Sequence, residues 1–210
     1  MTTPLTPPLS GPGFGSYVPG EVTWLLKDLS HVALEGAIAE REKAIQSGRA
    51  HYAESLPVEF QPDEEYQKLF RTALSESADR LATAIGAVTD LLIADRGTEL
   101  TLVSLARAGT PVGILMRRWA QLIHGLDLPH YTISIVRDRG IDAVALDYIT
   151  ARHRPESVVF VDGWTGKGAI ARELSAALAE YAAAGGPMLS DDLAVLADPG
   201  YCVRTFGTRD

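Results

Sequence analysis

The stretch Val158-Val159-Phe160-Val161-Asp162-Gly163-Trp164-Thr165-Gly166-Lys167-Gly168 decides how this chain is read. Its four leading apolar residues have the length and side-chain type of a buried strand. An acidic residue and a glycine-rich turn follow, and the turn opens onto a helical pattern. That pattern runs through Ile170, Leu174, Leu178 and Tyr181 and stops at Gly185-Gly186. Such a junction points backbone N–H groups and a helix N-terminus at one spot, which suits phosphate. The expected donors are the N–H groups of Gly166, Lys167 and Gly168 and the Thr165 hydroxyl. Each charge-assisted bond contributes about 1.5–3 kcal/mol, against roughly 0.3–1 kcal/mol from the helix dipole. Asp162, at the strand end, is placed to hold sugar hydroxyls. The expectation is a sugar-phosphate site, and the plain alternative is a tight turn using glycine only for positive φ.

Two other nucleotide motifs fit less well. A Walker loop needs a glycine at 161 and Ser or Thr after Lys167, and the chain has Val161 and Gly168 there. Gly166–Ala171 matches G-x-G-x-x-A of a dinucleotide site. The acid expected about 20 residues on is misplaced, because Asp191 and Asp192 precede the next apolar run.

Upstream and downstream the chain alternates. Strands are expected at 100–105, 131–136, 158–161 and 193–197, and helices at 111–124, 142–152 and 169–184. This order implies an α/β fold: a mostly parallel sheet with helices on both faces, and ligands at the carboxyl ends of the strands. A helical N-terminal segment, residues 21–95, precedes it. There a helix is expected over 34–47, and Leu69, Phe70, Leu74, Leu81, Ile85, Val88 and Leu92 mark a core-packing helical pair over 63–95, broken near Gly86. Residues 1–20, rich in Pro, Gly, Ser and Thr, read as a flexible tail, with 21–210 as the folded domain.

Two further turns fall at the same sheet edge. Arg107, Ala108 and Gly109 follow the first strand, with Pro111 suited to a first helical turn, and can hold a second anion such as pyrophosphate. Arg137-Asp138-Arg139-Gly140 follows the second and can close over a highly charged phosphate. Each is equally well read as an ordinary surface loop.

The chain has 210 residues, 46% of them hydrophobic, and a net charge of −8, which argues against nucleic acid or anionic membrane as the main partner. Cys202 is the sole cysteine, so no internal disulfide or cysteine-based zinc site is expected. None of His31, His51, His124, His130 and His153 lies near it in sequence, and a structural role is the commoner one for such a thiol. With no signal-peptide pattern and no apolar run near 18 residues, a cytoplasmic location is expected.

The three turns together resemble the type I phosphoribosyltransferases, whose signature is an apolar strand, an acidic pair and a TG-containing phosphate loop. A closer resemblance is carried by Ser16-Tyr17, Val22–Lys27, His51–Pro57 and Phe160–Gly168. These look like a divergent branch from bacterial tellurium-resistance and stress gene clusters, some members of which are labelled cysteine protease StiP, N-terminal domain. That likeness implies phosphoribosyl pyrophosphate (PRPP) as substrate and Mg²⁺ as cofactor. By the same likeness Asp162 takes the ribose and Thr165, Gly166, Lys167 and Gly168 take the 5′-phosphate. Arg107, Ala108 and Gly109 take pyrophosphate, and Arg137 and Arg139 close the site. The chain departs from the pattern at Gly163, which replaces the second acid, and in the early arrival of Thr165-Gly166. The function implied is transfer of a phosphoribosyl group to an unidentified acceptor in a stress-linked, nucleoside-type pathway. A non-catalytic ribose-phosphate or nucleotide sensor is the alternative, and a cysteine protease the third reading. A homodimer is compatible with these residues, and the branch implies a further C-terminal domain.

Overall fold

The computed structural model describes residues 7–32, 34–36, 42, 43, 45–47, 56–58 and 60–210. The expected 34–47 helix falls largely outside these residues, as do His51–Ser55. In chain order the elements are β1 (Thr23–Trp24), β2 (Glu35–Gly36), β3 (Leu56–Pro57), α1 (Glu64–Arg96), β4 (Thr101–Leu105), α2 (Gly109–His124) and β5 (His130–Ile133). There follow β6 (Ile135–Val136), β7 (Gly140–Ile141), α3 (Ala143–Thr150), β8 (Val158–Trp164), α4 (Ala169–Ala183), β9 (Ala194–Ala197) and β10 (Thr205–Thr208).

Residue contacts divide the chain into two compact units. In the smaller, Lys27–Ala78, β2 pairs in parallel with β3. The expected cap of α1 is present, since Tyr66 N–H donates to Asp63 Oδ1 at 2.8 Å. Tyr66, Leu69, Phe70 and Leu74 on this half of α1 are exposed, where the apolar spacing implied core packing. Spacing reports a helix with an apolar stripe, not what covers the stripe.

The larger unit, Met1–Leu26 with Asp79–Asp210, holds a six-stranded sheet in the order β1-β5-β4-β8-β9-β10. All five neighbouring pairs are parallel. Parallel strands bury both faces, so their side chains alternate between two apolar layers. Val103, Leu105, Val158 and Phe160 face a layer with Leu146 and Ile149 of α3 and Leu174 and Leu178 of α4. Leu102, Val159 and Val161 face the other, with Ile85, Val88 and Leu92 of α1 and Val112 and Met116 of α2. The chain leaves β4 through α2 to β5 on one side, and later enters β8 on the other. Strand order therefore reverses between β4 and β8, which opens a crevice at their carboxyl ends.

Three local features depart from the periodicity. Residues 131–136 do not form one strand: β5 ends at Ile133, and β6 turns away to pair antiparallel with β7. The edge strand β10 carries only one large apolar residue in Thr-Phe-Gly-Thr, too short an alternation to register. In residues 7–20, Leu9 exchanges backbone hydrogen bonds with Trp24 at 2.8 and 3.0 Å, and the Phe14 ring lies 5.6 Å from that of Trp24.

The break expected at Gly86 is absent, for α1 runs unbroken through 33 residues. Glycine is there for packing: a Cβ at Gly86 would stand 2.5 Å from Cζ2 of Trp119. The Trp119 ring is fixed by its Nε1–H donating to Asp90 at 2.9 Å. Gly86→Ala improves helix propensity by about 1 kcal/mol, whereas overpacking costs about 1–3 kcal/mol. We expect a net loss of stability in urea unfolding, and a gain would contradict this packing.

Candidate functional site

β8 carries Asp162 on its way out of the core and ends at Trp164, after which the chain turns into α4. Burial pushes the Asp162 carboxyl up from its usual range, against a hydrogen bond from Gly163 N–H at 2.7 Å. Gly168, at φ 69°, occupies the left-handed region and begins α4 without a side-chain cap. Gly166 and Lys167 are exposed. Among the described residues, no acceptor is hydrogen-bonded to the N–H groups of Gly166, Lys167 or Gly168. That arrangement suits an incoming anion.

Thr165 departs from expectation. It is 1% exposed, its N–H donates to the Ala197 carbonyl at 3.0 Å, and its hydroxyl donates to Asp198. The hydroxyl is therefore a structural tie and does not face the turn's open side. Asp198, which the sequence did not single out, is fully buried just beyond β9 and also accepts Cys202 N–H at 2.8 Å. Arg209 approaches its Oδ2 at 3.5 Å while lying over the rings of Tyr201 and Phe206. Burial pushes this carboxyl up, but the bonds from Thr165, Cys202 and Val203 and the nearby Arg209 outweigh it. The net shift is downward. The loop 198–202 then presses on the turn: a Cβ on Gly200 would stand 1.8 Å from the Gly166 carbonyl oxygen. Only the Asp-Pro-Gly turn signal at 198–200 marked this brace in the sequence.

The second turn meets the first directly. A Cβ at Gly109 would stand 2.2 Å from the Val161 carbonyl oxygen and 3.1 Å from Asp162 Cα. A Cβ at Gly163 would stand 3.1 Å from that of Ala108, so the absent second acid coincides with a tight contact between the turns. Arg107 and Ala108 are exposed, and α2 starts at Gly109 with no side-chain cap. The Ala106–Arg107 peptide is cis. Arg137 and Arg139 are exposed on the β6–β7 hairpin. Glu173 in α4 holds this hairpin by accepting from the N–H groups of Asp138 at 3.2 Å and Gly140 at 3.1 Å. Trp164 is 61% exposed, with its ring beside Gly166.

A cleft of about 650 Å³ borders the same turn, lined in part by Arg172, Ser175, Asp191, Cys202 and Arg204. Within it Asp191 accepts from Ser175 at 2.6 Å, and Asp192 accepts from Arg204 at 2.9 Å. The Cys202 thiol faces carbonyl oxygens, Gly200 at 3.2 Å and Gly166 at 3.7 Å. His124 pairs with Asp90, His130 with Ser104 and His153 with Tyr131, all away from the thiol. Among the described residues no group of three or more His, Cys, Asp or Glu could hold a metal, and no helix is long and apolar enough to cross a membrane.

Comparison with known proteins finds one family and several partial likenesses. The cysteine protease StiP of Acinetobacter baylyi is 44% identical over 164 residues, covering 78% of this chain and 42% of that protein. The chain thus spans less than half the length of this curated relative. Two solved structures overlap at 17% identity and a TM-score of 0.40. One is a Helicobacter pylori xanthine-guanine-hypoxanthine phosphoribosyltransferase, covering 65% of this chain and 77% of its own. The other is a hypothetical protein from Neisseria gonorrhoeae with bound ppGpp, covering 57% and 68%. A family model described as tellurite-like stress resistance cysteine protease StiP matches residues 15–210, so the chain belongs to that family.

Proposed function

We propose that the β4–β8 crevice binds PRPP and that the protein transfers its phosphoribosyl group to an acceptor. The observation that carries this reading is the interlock of Gly109 with Val161 and Asp162. It brings the uncapped start of α2 against the partly buried Asp162, on the strand that leads into the uncapped start of α4, and so supports a shared anion site. The N–H groups of Gly166, Lys167 and Gly168 take the 5′-phosphate, and Asp162 accepts from ribose hydroxyls. Arg107 and the start of α2 take the pyrophosphate, and Arg137 and Arg139 close over it. The C1–O bond to pyrophosphate breaks with its electron pair leaving on the pyrophosphate, while the acceptor's lone pair forms the new bond to C1. The protein supplies positioning and neutralisation of charge. Mg²⁺, if bound, would be held chiefly by substrate oxygens with Asp162 as the nearby carboxylate, and would supply further charge neutralisation.

Release of pyrophosphate from labelled PRPP and Mg²⁺ in a metabolite pool supports transfer; tight binding without turnover supports the sensor. The protease reading has one observation of its own, the family's name together with Cys202 against the turn. Cys202→Ser should leave ribose 5-phosphate affinity unchanged, and peptide cleavage abolished by that change would favour the protease.

Asp162→Asn should weaken ribose 5-phosphate binding about tenfold or more in calorimetric titration. Because burial raises this carboxyl, wild-type affinity should begin to fall on acidification at a pH above the ordinary 3.8, and the Asn variant should lack that step. Unchanged affinity in the variant removes the ribose contact. Asp198→Ala orphans buried donors at about 1–3 kcal/mol each, so unfolding free energy should drop by at least about 2 kcal/mol. Since the folded Asp198 carboxyl lies below 3.8, its contribution is present above that pH and lost as pH falls further, through the folded value. Asp198→Asn should lack this acid limb.

A further inference from the structure

A buried polar chain under the Ala106–Gly109 turn is left unused by the proposed reaction. Ser104 is 0% exposed and His130 5%. Ser104 Oγ lies 2.9 Å from the Gly109 carbonyl oxygen and 2.8 Å from His130 Nε2, while His130 Nδ1 lies 3.0 Å from the Glu21 carbonyl oxygen. Gly113 of α2 makes room for the pair, for a Cβ there would stand 2.3 Å from Oγ and 2.4 Å from Nε2.

Three contacts compete for two hydrogens. Both carbonyl oxygens only accept, a neutral imidazole brings one N–H and the serine one O–H. With hydrogen on Nδ1, Glu21 is served, Ser104 gives its hydrogen to Nε2, and the Gly109 carbonyl keeps only its helical bond from Gly113 and loses its tie to β4. With hydrogen on Nε2, the ring donates to Ser104 and Ser104 donates to Gly109, leaving the Nδ1 lone pair facing Glu21. The charges around the ring are few. The Glu21 carboxylate accepts from Arg118 Nε at 2.6 Å, and Arg117 Nε donates to the Leu128 carbonyl at 3.0 Å while pairing with Asp127. Burial lowers the His130 pKa to about 4, with Arg117 lowering and Glu21 raising it. The ring is therefore uncharged near neutral pH, and its tautomer decides which carbonyl is held.

We infer that His130, acting through Ser104, is a positioning residue for the Ala106–Gly109 turn, with the Nε2–H tautomer as the form that ties Gly109 to β4 and readies the turn for pyrophosphate. In that form the ring and hydroxyl dipoles both point their positive ends at the turn, the orientation an anion favours. This rests on the reading of the turn as the pyrophosphate side of the crevice.

The test uses Ser104→Ala, His130→Gln and His130→Asn. A glutamine amide reaches the Nε2 position, and an asparagine amide reaches that of Nδ1. The probes are inorganic pyrophosphate with Mg²⁺ and ribose 5-phosphate, titrated calorimetrically. Ser104→Ala and His130→Asn should weaken pyrophosphate about five- to tenfold and leave ribose 5-phosphate unchanged, while His130→Gln keeps both. Ring nitrogen shifts in the wild type should move toward Nε2–H when pyrophosphate binds. Equal losses in the Gln and Asn variants, or none in any of the three, overturn the inference. Should the wild type bind neither probe, the functional reading fails by itself, and amide hydrogen exchange decides the positioning. Faster exchange at Gly109 and Thr110 in Ser104→Ala and His130→Asn, but not in His130→Gln, retains it; equal exchange removes it.

Discussion

The backbone of Gly109 lies so close to the Val161 carbonyl that no side chain fits between them. This approach is possible because β4 and β8 are neighbours in parallel register, Thr101 to Ser104 against Val158 to Val161. Two strands leaving the sheet in the same direction must each turn into a helix, and the turns collide unless one lacks a Cβ. The start of α2 thereby lies against Asp162, a carboxylate that burial already keeps poorly solvated.

The remaining architecture braces that contact from three directions. From the β9 side, Asp198 ties Thr165 and the Cys202 backbone together. From the α4 side, Glu173 holds the arginine-bearing hairpin by its backbone. From below, Ser104 and His130 fill the space that Gly113 leaves. Two of the braces, Asp198 and the Ser104–His130 pair, are buried polar groups, whereas the Glu173 bonds lie nearer solvent.

Sequence and structure agree where the signal is local. Strand, turn and helix around Asp162 follow from residue types within a dozen positions, and so does the alternation that dictates a parallel sheet. The disagreements are non-local. Thr165 looks like a ligand donor until Asp198, 33 positions away, claims its hydroxyl. Gly86 looks like a helix break until Trp119 is seen against it. Leu69, Phe70 and Leu74 show the right period for a core helix, yet period carries no information on what lies opposite. The hairpin at 135–141 escaped because Ile133 and Ile135 read as one continuous strand, although their backbones pair with different partners.

The tie between Thr165 and Asp198 also bears on how the molecule is made. During vectorial synthesis the 162–168 segment emerges well before its buried acceptor, and Gly200 comes later still. The nascent chain can therefore form β4, β8 and the helix between β4 and β5 while the cradle is still unlatched. The turn would gain its latch only after residues 198–200 have emerged, by which point β4, β5 and β8 are all available to pair.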